Sequence, residues 1–368
     1  MAGSQRVLAV NAGSSSVKLS VVGAGDEAAG ARELEAPDGA LDVGALAGAL
    51  SELGPCDAVG HRVVHGGERF REAVLIDAGV RAQLQALVEL APLHQPRSLA
   101  AIDAVCAQLP QVPAVACFDT AFHASMPAAA STYALPARWR ERQGVRRYGF
   151  HGLSHAWVAR RAPVLLGREG DPALRIVSCH LGAGASLCAI AGGRSLDTTM
   201  GFTPLEGLVM ATRSGSVDPG ALLWLLERGG VAVGELSRVL EHESGLLALA
   251  GSADMREVLE RAGRGDGAAA LALEVYVHRL RAGVGGMAAA LGGVDALVFT
   301  GGVGEHAAEV RERALAGLGF LGLSLDVSRN RALAGGDADI SAAGDARTLV
   351  IAAREELEIA RQVRALLR

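Results

Sequence analysis

The chain has 368 residues, a length that favours two domains, and with 50% hydrophobic and 20% charged residues it can bury a large core. A net charge of −5 excludes the electrostatic footprint of a nucleic-acid or anionic-membrane binder, and 4% aromatic residues are too few for a base-stacking surface. Five cysteines (Cys56, Cys106, Cys117, Cys179, Cys188), an odd number with no C-x-x-C, read as free thiols in a reducing cytosol. The start, MAGSQR, runs directly into an apolar stretch, so no signal peptide is expected. No stretch is long and unbroken enough for a transmembrane helix, and the expectation is a cytoplasmic protein without nucleic-acid or membrane partners.

In chain order, Val7 to Val10 and Leu19 to Val22 read as two strands around the polar turn Asn11-Ala12-Gly13-Ser14-Ser15-Ser16. Gly23 to Leu50 reads as a loose strand and a helix, and Ala58 to Val64 as a strand. Arg81 to Leu90 is helical, and Ala91 to Pro96 is a loop with two prolines. A helix follows from Ser98 to Leu109 with Ser98 as N-cap, then a strand from Val112 to Phe118. Pro136 to Arg147 reads as a charged loop, Ser154 to Leu166 as a helix, and Arg194 to Pro219 as a long loop. Leu297 to Gly304 is a strand and glycine turn before a helix from about Ala307 to Leu318, and an amphipathic helix from Arg354 to Arg368 ends the chain. Strands alternating with helices argue for an α/β class.

A repeat sharpens that class. Arg6 to Gly13 aligns with Arg175 to Gly182, and each glycine is followed by small residues and a second strand. A turn with serine hydroxyls beside a row of backbone N–H groups can cradle a phosphate. It is not a Walker A loop, because Gly13 to Lys18 lacks the Gly-Lys-Ser/Thr ending and a strand follows it. Two such hairpins half a chain apart point to a duplicated domain with phosphate chemistry.

The polar residues at strand ends are Asn11, Arg62, Asp119, His151, His180 and Arg213. Ligand sites in α/β sheets form beyond the carboxyl ends of strands. Taken singly, Arg62 also fits a turn cap and Asp119 a helix cap. The pairs His61/His65 and His151/His155 lack the cysteine or acid that would complete a zinc set. Ser14 to Ser16 lacks the hydrolase Gly-x-Ser-x-Gly elbow, and two arginines with histidines fit phosphoryl transfer better than acyl hydrolysis.

Along its whole length the chain resembles the acetate kinase family, which includes acetate and propionate kinases. The motifs are NAGSSSVK (Asn11 to Lys18), GHRVVHGG (Gly60 to Gly67), APLHQP (Ala91 to Pro96), FDTAFH (Phe118 to His123) and RRYGFHGLSH (Arg146 to His155). MGFTPLEGL (Met200 to Leu208), RSGSVDPG (Arg213 to Gly220), GGVGEH (Gly301 to His306) and REELEIA (Arg354 to Ala360) follow in the same order. The resemblance implies a duplicated actin-like fold, as in sugar kinases, Hsp70 and actin. It would have two domains with a cleft between them that closes on nucleotide. Domain I is expected over 1–123 plus 356–368 and domain II over 124–355, with a homodimer formed through domain II.

The implied reaction is reversible transfer of the ATP γ-phosphoryl to acetate, giving acetyl phosphate and ADP, with Mg²⁺ (or Mn²⁺) as cofactor. The alternative within the same family is that this chain's acceptor is propionate or another short-chain carboxylate. By the same resemblance Arg62, Asp119, His151 and Arg213 are catalytic. Asn11, Ser14, Ser16, Lys18, His180, Gly182 and Gly184 meet the phosphates, and Asp254, Met255, Arg256, Gly301, Gly302, Val303 and Gly304 meet the nucleotide. Val64, Leu93, Phe150 and Pro204 line the pocket for the acid's alkyl group, and Asn11 and Glu355 serve the metal. The chain departs from the family pattern at Gln95, Ala183, Ser216, His306 and Arg354. The alternatives are a sugar or polyol kinase on the same fold, which would want an aspartate base, and a nucleotide-binding regulatory relative.

Overall fold

The structure, a computed structural model, describes residues 5–13, 16–36, 41–92 and 94–368. The chain divides into two compact units: Met1–Ala124 with Phe150–Trp157 and Arg354–Arg368, and Ser125–Gly149 with Val158–Ala353. This differs from the expected boundaries in three places, the least of them Ala124, one residue past the expected end of the first segment. Phe150–Trp157 belongs to the first unit because Leu153 is buried in its core with Val115 and Cys117. Glu355 belongs there because its carboxylate accepts from the Asn11 amide.

The strands of the first unit are β1 (Val7–Ala12), β2 (Ser16–Val22), β3 (Ala28–Glu35), β4 (Ala58–Val63), β5 (Val74–Leu75) and β6 (Ala114–Phe118). They form a sheet in the order β3-β2-β1-β4-β6-β5. β1 and β2 make an antiparallel hairpin, whereas β1, β4 and β6 run parallel. Both faces of the central strands are covered, and β1 and β6 accordingly read as near-continuous apolar runs, whereas β4 carries His61 and Arg62 toward its carboxyl end. The C-terminal helix Glu355–Leu366 buries Ile359, Ala360 and Val363 against Val7, Ala9 and Cys117 on one face. Helix Gln95–Gln108 supplies Leu99 and Ile102 to the other face, beside Val63 and Phe118. Parallel pairing brings the carboxyl ends of β1, β4 and β6 to one edge of the sheet.

The second unit repeats this plan with β7 (Arg175–Leu181), β8 (Ala185–Ala191), β9 (Arg194–Thr198), β10 (Ala296–Thr300), β11 (Ala338–Asp339) and β12 (Arg347–Val350). Its order, β9-β8-β7-β10-β12-β11, matches the first sheet strand for strand. The parallel core is again β7, β10 and β12, with β8 antiparallel to β7 and β11 antiparallel to β12. Helix Gly267–Leu291 packs on β8 through a stripe of Leu273, Val277, Leu280 and Val284, spaced three or four residues apart. Asp266 caps it by accepting from the Ala268 and Ala269 N–H groups. No helix among the described residues is long and apolar enough to cross a membrane.

Several expected elements shift. The loop expected from Arg194 begins with β9, whose one large apolar residue is a weak local signal but which pairs onto β8. The helix expected from Ser98 begins at Gln95, leaving Ser98 buried inside it rather than capping it. Pro96 is compatible with that start because first-turn N–H groups have no intrahelical partner. The charged stretch from Pro136 contains helix Ala137–Gln143. The helix expected from about Ala307 is present as Ala308–Leu315, while the glycine turn expected before it is itself a short helix, Gly301–His306.

Candidate functional site

In the first unit, Asn11 near the end of β1, Arg62 near the end of β4 and Asp119 just beyond β6 meet at the carboxyl edge of the sheet. Register explains the meeting. β4 and β6 pair Val63 with Phe118, and the Asp119 N–H extends the ladder to Val63 O at 3.0 Å. Arg62 donates from Nε and Nη2 to Asp119 Oδ2 at 3.0 and 2.7 Å, and from Nη1 to Asn11 Oδ1 at 3.0 Å. Asn11 Nδ2 donates to Glu355 Oε2 at 3.1 Å, and that oxygen lies 3.9 Å from Arg62 Nε. The four side chains form one network.

Its electrostatics are those of a partly dry ion pair. The Arg62 side chain is 18% exposed and that of Asp119 1%. Burial works against the Arg62 charge, but Asp119 and Glu355 outweigh it and raise its pKa above the ordinary value. Burial likewise pushes the Asp119 carboxyl up, while Arg62 pulls it back toward ionisation. Asp119 Oδ1 is buried and has no hydrogen-bond partner among the described residues.

His151 joins this region through the backbone. The Gly152 N–H donates to Asp119 O at 2.8 Å, and a Cβ at Gly152 would lie 2.1 Å from that oxygen. His151 itself sits at φ +57°, a left-handed conformation that an L side chain adopts only when its surroundings impose it. Phe150 is buried and meets the His65 ring edge-on at 5.4 Å. Phe150 O lies 3.0 Å from Nε2 of buried His123, and burial lowers the pKa of His123 to about 4. Val64 is buried. Lys18 is exposed on β2 in register with Asn11, and Ser16 donates to Glu33 at 2.6 Å. Ser14 and Leu93 lie outside the described residues.

In the second unit, His180 lies near the end of β7, opposite Ser186 on β8 and Thr300 on β10. The following turn closes with Gly182 N–H donating to Gly184 O at 2.9 Å, and Ala183 is exposed at its tip. Gly301 has φ +78°, and a Cβ there would lie 2.8 Å from Leu181 O, so only glycine lets β10 turn this closely past β7. It opens the helix that carries Gly302, Val303 and Gly304. Asp254 caps helix Met255–Gly263 and pairs with Arg256 at 2.5 Å on the surface, while Met255 is buried. Arg213 donates to Pro204 O at 2.9 Å and lies 3.7 Å from Glu241. Ser216 exchanges hydrogen bonds with Gly207, accepting from its N–H through the hydroxyl at 3.0 Å.

The structure thus joins Asn11, Arg62, Asp119 and Glu355 into one network and links Arg213 directly to Pro204. Motif reading gave no role to Gly152, nor to Tyr133, Arg147 and Glu206, which fasten the Pro204 segment. Gly152, Arg147 and Glu206 lay inside quoted motifs, yet nothing local marks which residue of a motif carries the contact.

Two α/β units with one strand order, each bearing a strand-end polar site, define the duplicated actin-like class of phosphotransferase fold. A family model described as the Acetokinase family matches residues 40–361. An acetate kinase from Deinococcus deserti is 50% identical over 345 residues, covering 91% of this chain and 86% of the relative. A solved Porphyromonas gingivalis acetate kinase superposes with a TM-score of 0.90 at 36% identity, over 99% of this chain and all (100%) of the other. A propionate kinase from Francisella tularensis gives the same TM-score of 0.90 at 35% identity, over 98% and 100%. The chain belongs to the acetokinase family.

Proposed function

We propose that the chain is an acetate kinase, transferring the ATP γ-phosphoryl reversibly to acetate. The observation that carries this reading is the Arg62 guanidinium, held charged and oriented by Asp119 and Asn11 at the edge where β1, β4 and β6 end. An acetate oxygen attacks the γ-phosphorus as the bond to the β–γ bridging oxygen breaks, and ADP leaves with that electron pair. Acetate is ionised at neutral pH, so no general base is required. The work left to the protein is alignment of two anions and stabilisation of charge on the transferring group.

Arg62 and Arg213 supply planar forks for carboxylate and phosphoryl oxygens, and His151 and His180 add phosphoryl contacts. Asp119 fixes Arg62. The turns at Gly13 and Gly182 serve the phosphates together with Asn11. Gly301 to Gly304 and Asp254 to Arg256 serve the nucleotide. The likeness to acetate kinases and the family motifs at these positions support the assignments.

A divalent metal fits the first-unit network. Asp119 Oδ1 is a buried oxygen with no partner among the described residues, and Glu355, whose Oε2 lies 3.9 Å from Arg62 Nε, brings a second carboxylate to the same network. No group of three or more His, Cys, Asp or Glu side chains gathers at a metal position among the described residues. Mg²⁺ at a nucleotide does not require one, since it takes one or two carboxylates and completes its shell with phosphates and water. Of the two residues expected for it, Glu355 fits better, because Asn11 Oδ1 already accepts from Arg62. When bound, the ion neutralises phosphate charge.

We also propose a cytoplasmic homodimer. Free thiols at Cys117 and Cys179 suit a reducing compartment, and exposed Leu223 and Trp224 give the second unit an apolar surface.

The test is a hydroxamate assay for acyl phosphate with Mg-ATP and acetate, propionate or butyrate, with Arg62→Ala as control. Acetyl phosphate formation abolished in the control supports the reading. A higher kcat/KM for propionate would move the assignment to a propionate kinase. Folded, ATP-binding protein that phosphorylates none of the three acids would overturn it.

A further inference from the structure

The Pro204 carbonyl that receives the Arg213 guanidinium belongs to a segment, residues 199–207, without regular secondary structure. An arginine anchored to such a segment is only as well placed as the segment. Three side chains hold it. Arg147 donates from Nη1 to Thr199 O and Met200 O at 3.2 and 3.0 Å, and from Nη2 to Glu206 Oε1 at 2.7 Å. Tyr133 donates its hydroxyl proton to Glu206 Oε2 and accepts from the Phe202 N–H at 3.1 Å. The Arg147 guanidinium also lies over the Tyr133 ring, 5.4 Å from its centroid. Gly201 O meanwhile accepts from the Tyr148 and Gly149 N–H groups at 3.0 and 3.2 Å.

Glu206 is the node. It lies two residues from Pro204, each of its oxygens takes a different partner, and its neighbour Gly207 is tied to Ser216, three residues beyond Arg213. We propose that Glu206, clamped by Arg147 and Tyr133, is a positioning residue that sets the Arg213 guanidinium through the Pro204 carbonyl. This rests on the reading of Arg213 as a catalytic arginine. Glu206 touches no reacting atom. Its effect travels along 204–206 and appears as the angle and distance at which Arg213 meets the transferring group. A misplacement of about 1 Å at such a group can lower a rate about a hundredfold.

The experiment compares wild type, Glu206→Gln, Arg213→Lys and the double variant by steady-state kinetics with ATP and acetate, with circular dichroism melts as a check on folding. Glu206→Gln keeps the shape, removes the charge, and leaves Tyr133 and Arg147 with a neutral partner. The proposal expects kcat to fall about tenfold or more with KM for ATP within about twofold of wild type. It also expects the double variant to be no slower than Arg213→Lys alone, because a device that orients the planar fork of Arg213 has no fork left to orient. Multiplicative losses in the double variant, or a Glu206→Gln enzyme with wild-type kcat, would overturn it. If Glu206→Gln does not fold, Tyr133→Phe makes the same comparison by removing only the hydroxyl. A wild type that makes no acyl phosphate overturns the reading of Arg213 itself, whereas an active wild type with multiplicative losses overturns only the positioning role.

Discussion

Asp119 gives one oxygen, Oδ2, to both Nε and Nη2 of Arg62 and keeps the other, Oδ1, buried without a partner among the described residues. The asymmetry divides the carboxylate's work: one oxygen orients the cation, and the other remains available to a metal or its water.

Removing Arg62 strands a buried carboxylate. Arg62→Ala is expected to abolish acyl phosphate formation and to destabilise the first unit by about 3–5 kcal/mol, the usual result of breaking a buried ion pair from one side. Chemical denaturation beside the hydroxamate assay checks both. Arg62→Lys retains the charge but not the fork, so it is expected to recover much of the stability and little of the rate.

Gly152→Ala places a methyl group where the Asp119 carbonyl now lies, 2.1 Å from the ideal Cβ. The backbone has to move, at a cost of about 1–3 kcal/mol. Because His151 precedes Gly152 and is already left-handed, kcat should fall further than the loss of stability alone explains. Kinetics at a temperature well below the melting transition separate the two effects.

Gly301 and Gly302 are neighbours with opposite expectations. Gly301→Ala meets Leu181 O at 2.8 Å and imposes φ +78° on alanine, so it should destabilise by about 2 kcal/mol or more. Gly302 is helical with nothing within 4 Å of an added Cβ, so Gly302→Ala should stabilise by up to about 1 kcal/mol. Melting temperatures of the two variants should lie on opposite sides of wild type.

The buried histidines set an acid limit. Burial lowers His61 from 6.5 to about 3 and His123 from 6.5 to about 4, so both are neutral in the folded protein at pH 7. Above pH 6.5 they are neutral in both states, and their contribution is fully present. As pH falls below 6.5 the unfolded chain takes up protons first, and stability is lost until the folded values are reached. Each histidine contributes a slope of up to about 1.4 kcal/mol per pH unit in that window. Neither ring nitrogen of His61 has a hydrogen-bond partner among the described residues, so His61→Leu should remove its share of the slope at little cost at pH 7. Urea denaturation at pH 7, 6 and 5 measures this, and an unchanged slope would contradict it.

The linear sequence by itself determined the α/β class, the duplication and most of the strand-end residues. Those features are written locally: apolar runs make the central strands, the glycines after Asn11 and His180 recur at one offset, and Arg62, Asp119, His151 and Arg213 sit in short motifs. Tertiary structure decided what the motifs share. The pairing of β4 with β6 puts Arg62 beside Asp119, although 57 residues separate them. The C-terminal helix returns Glu355 to Asn11 across 344 residues. β9 becomes a strand because an edge of β8 is there to receive it, and Ser98 falls inside a helix that opens upstream of it at Gln95 and Pro96. Tyr133, Arg147 and Glu206 meet across as many as 73 positions, so their network is absent from any local window. Contacts at such separations are chosen by packing and strand register, which depend on the whole chain at once, whereas propensity and motif act over a few residues.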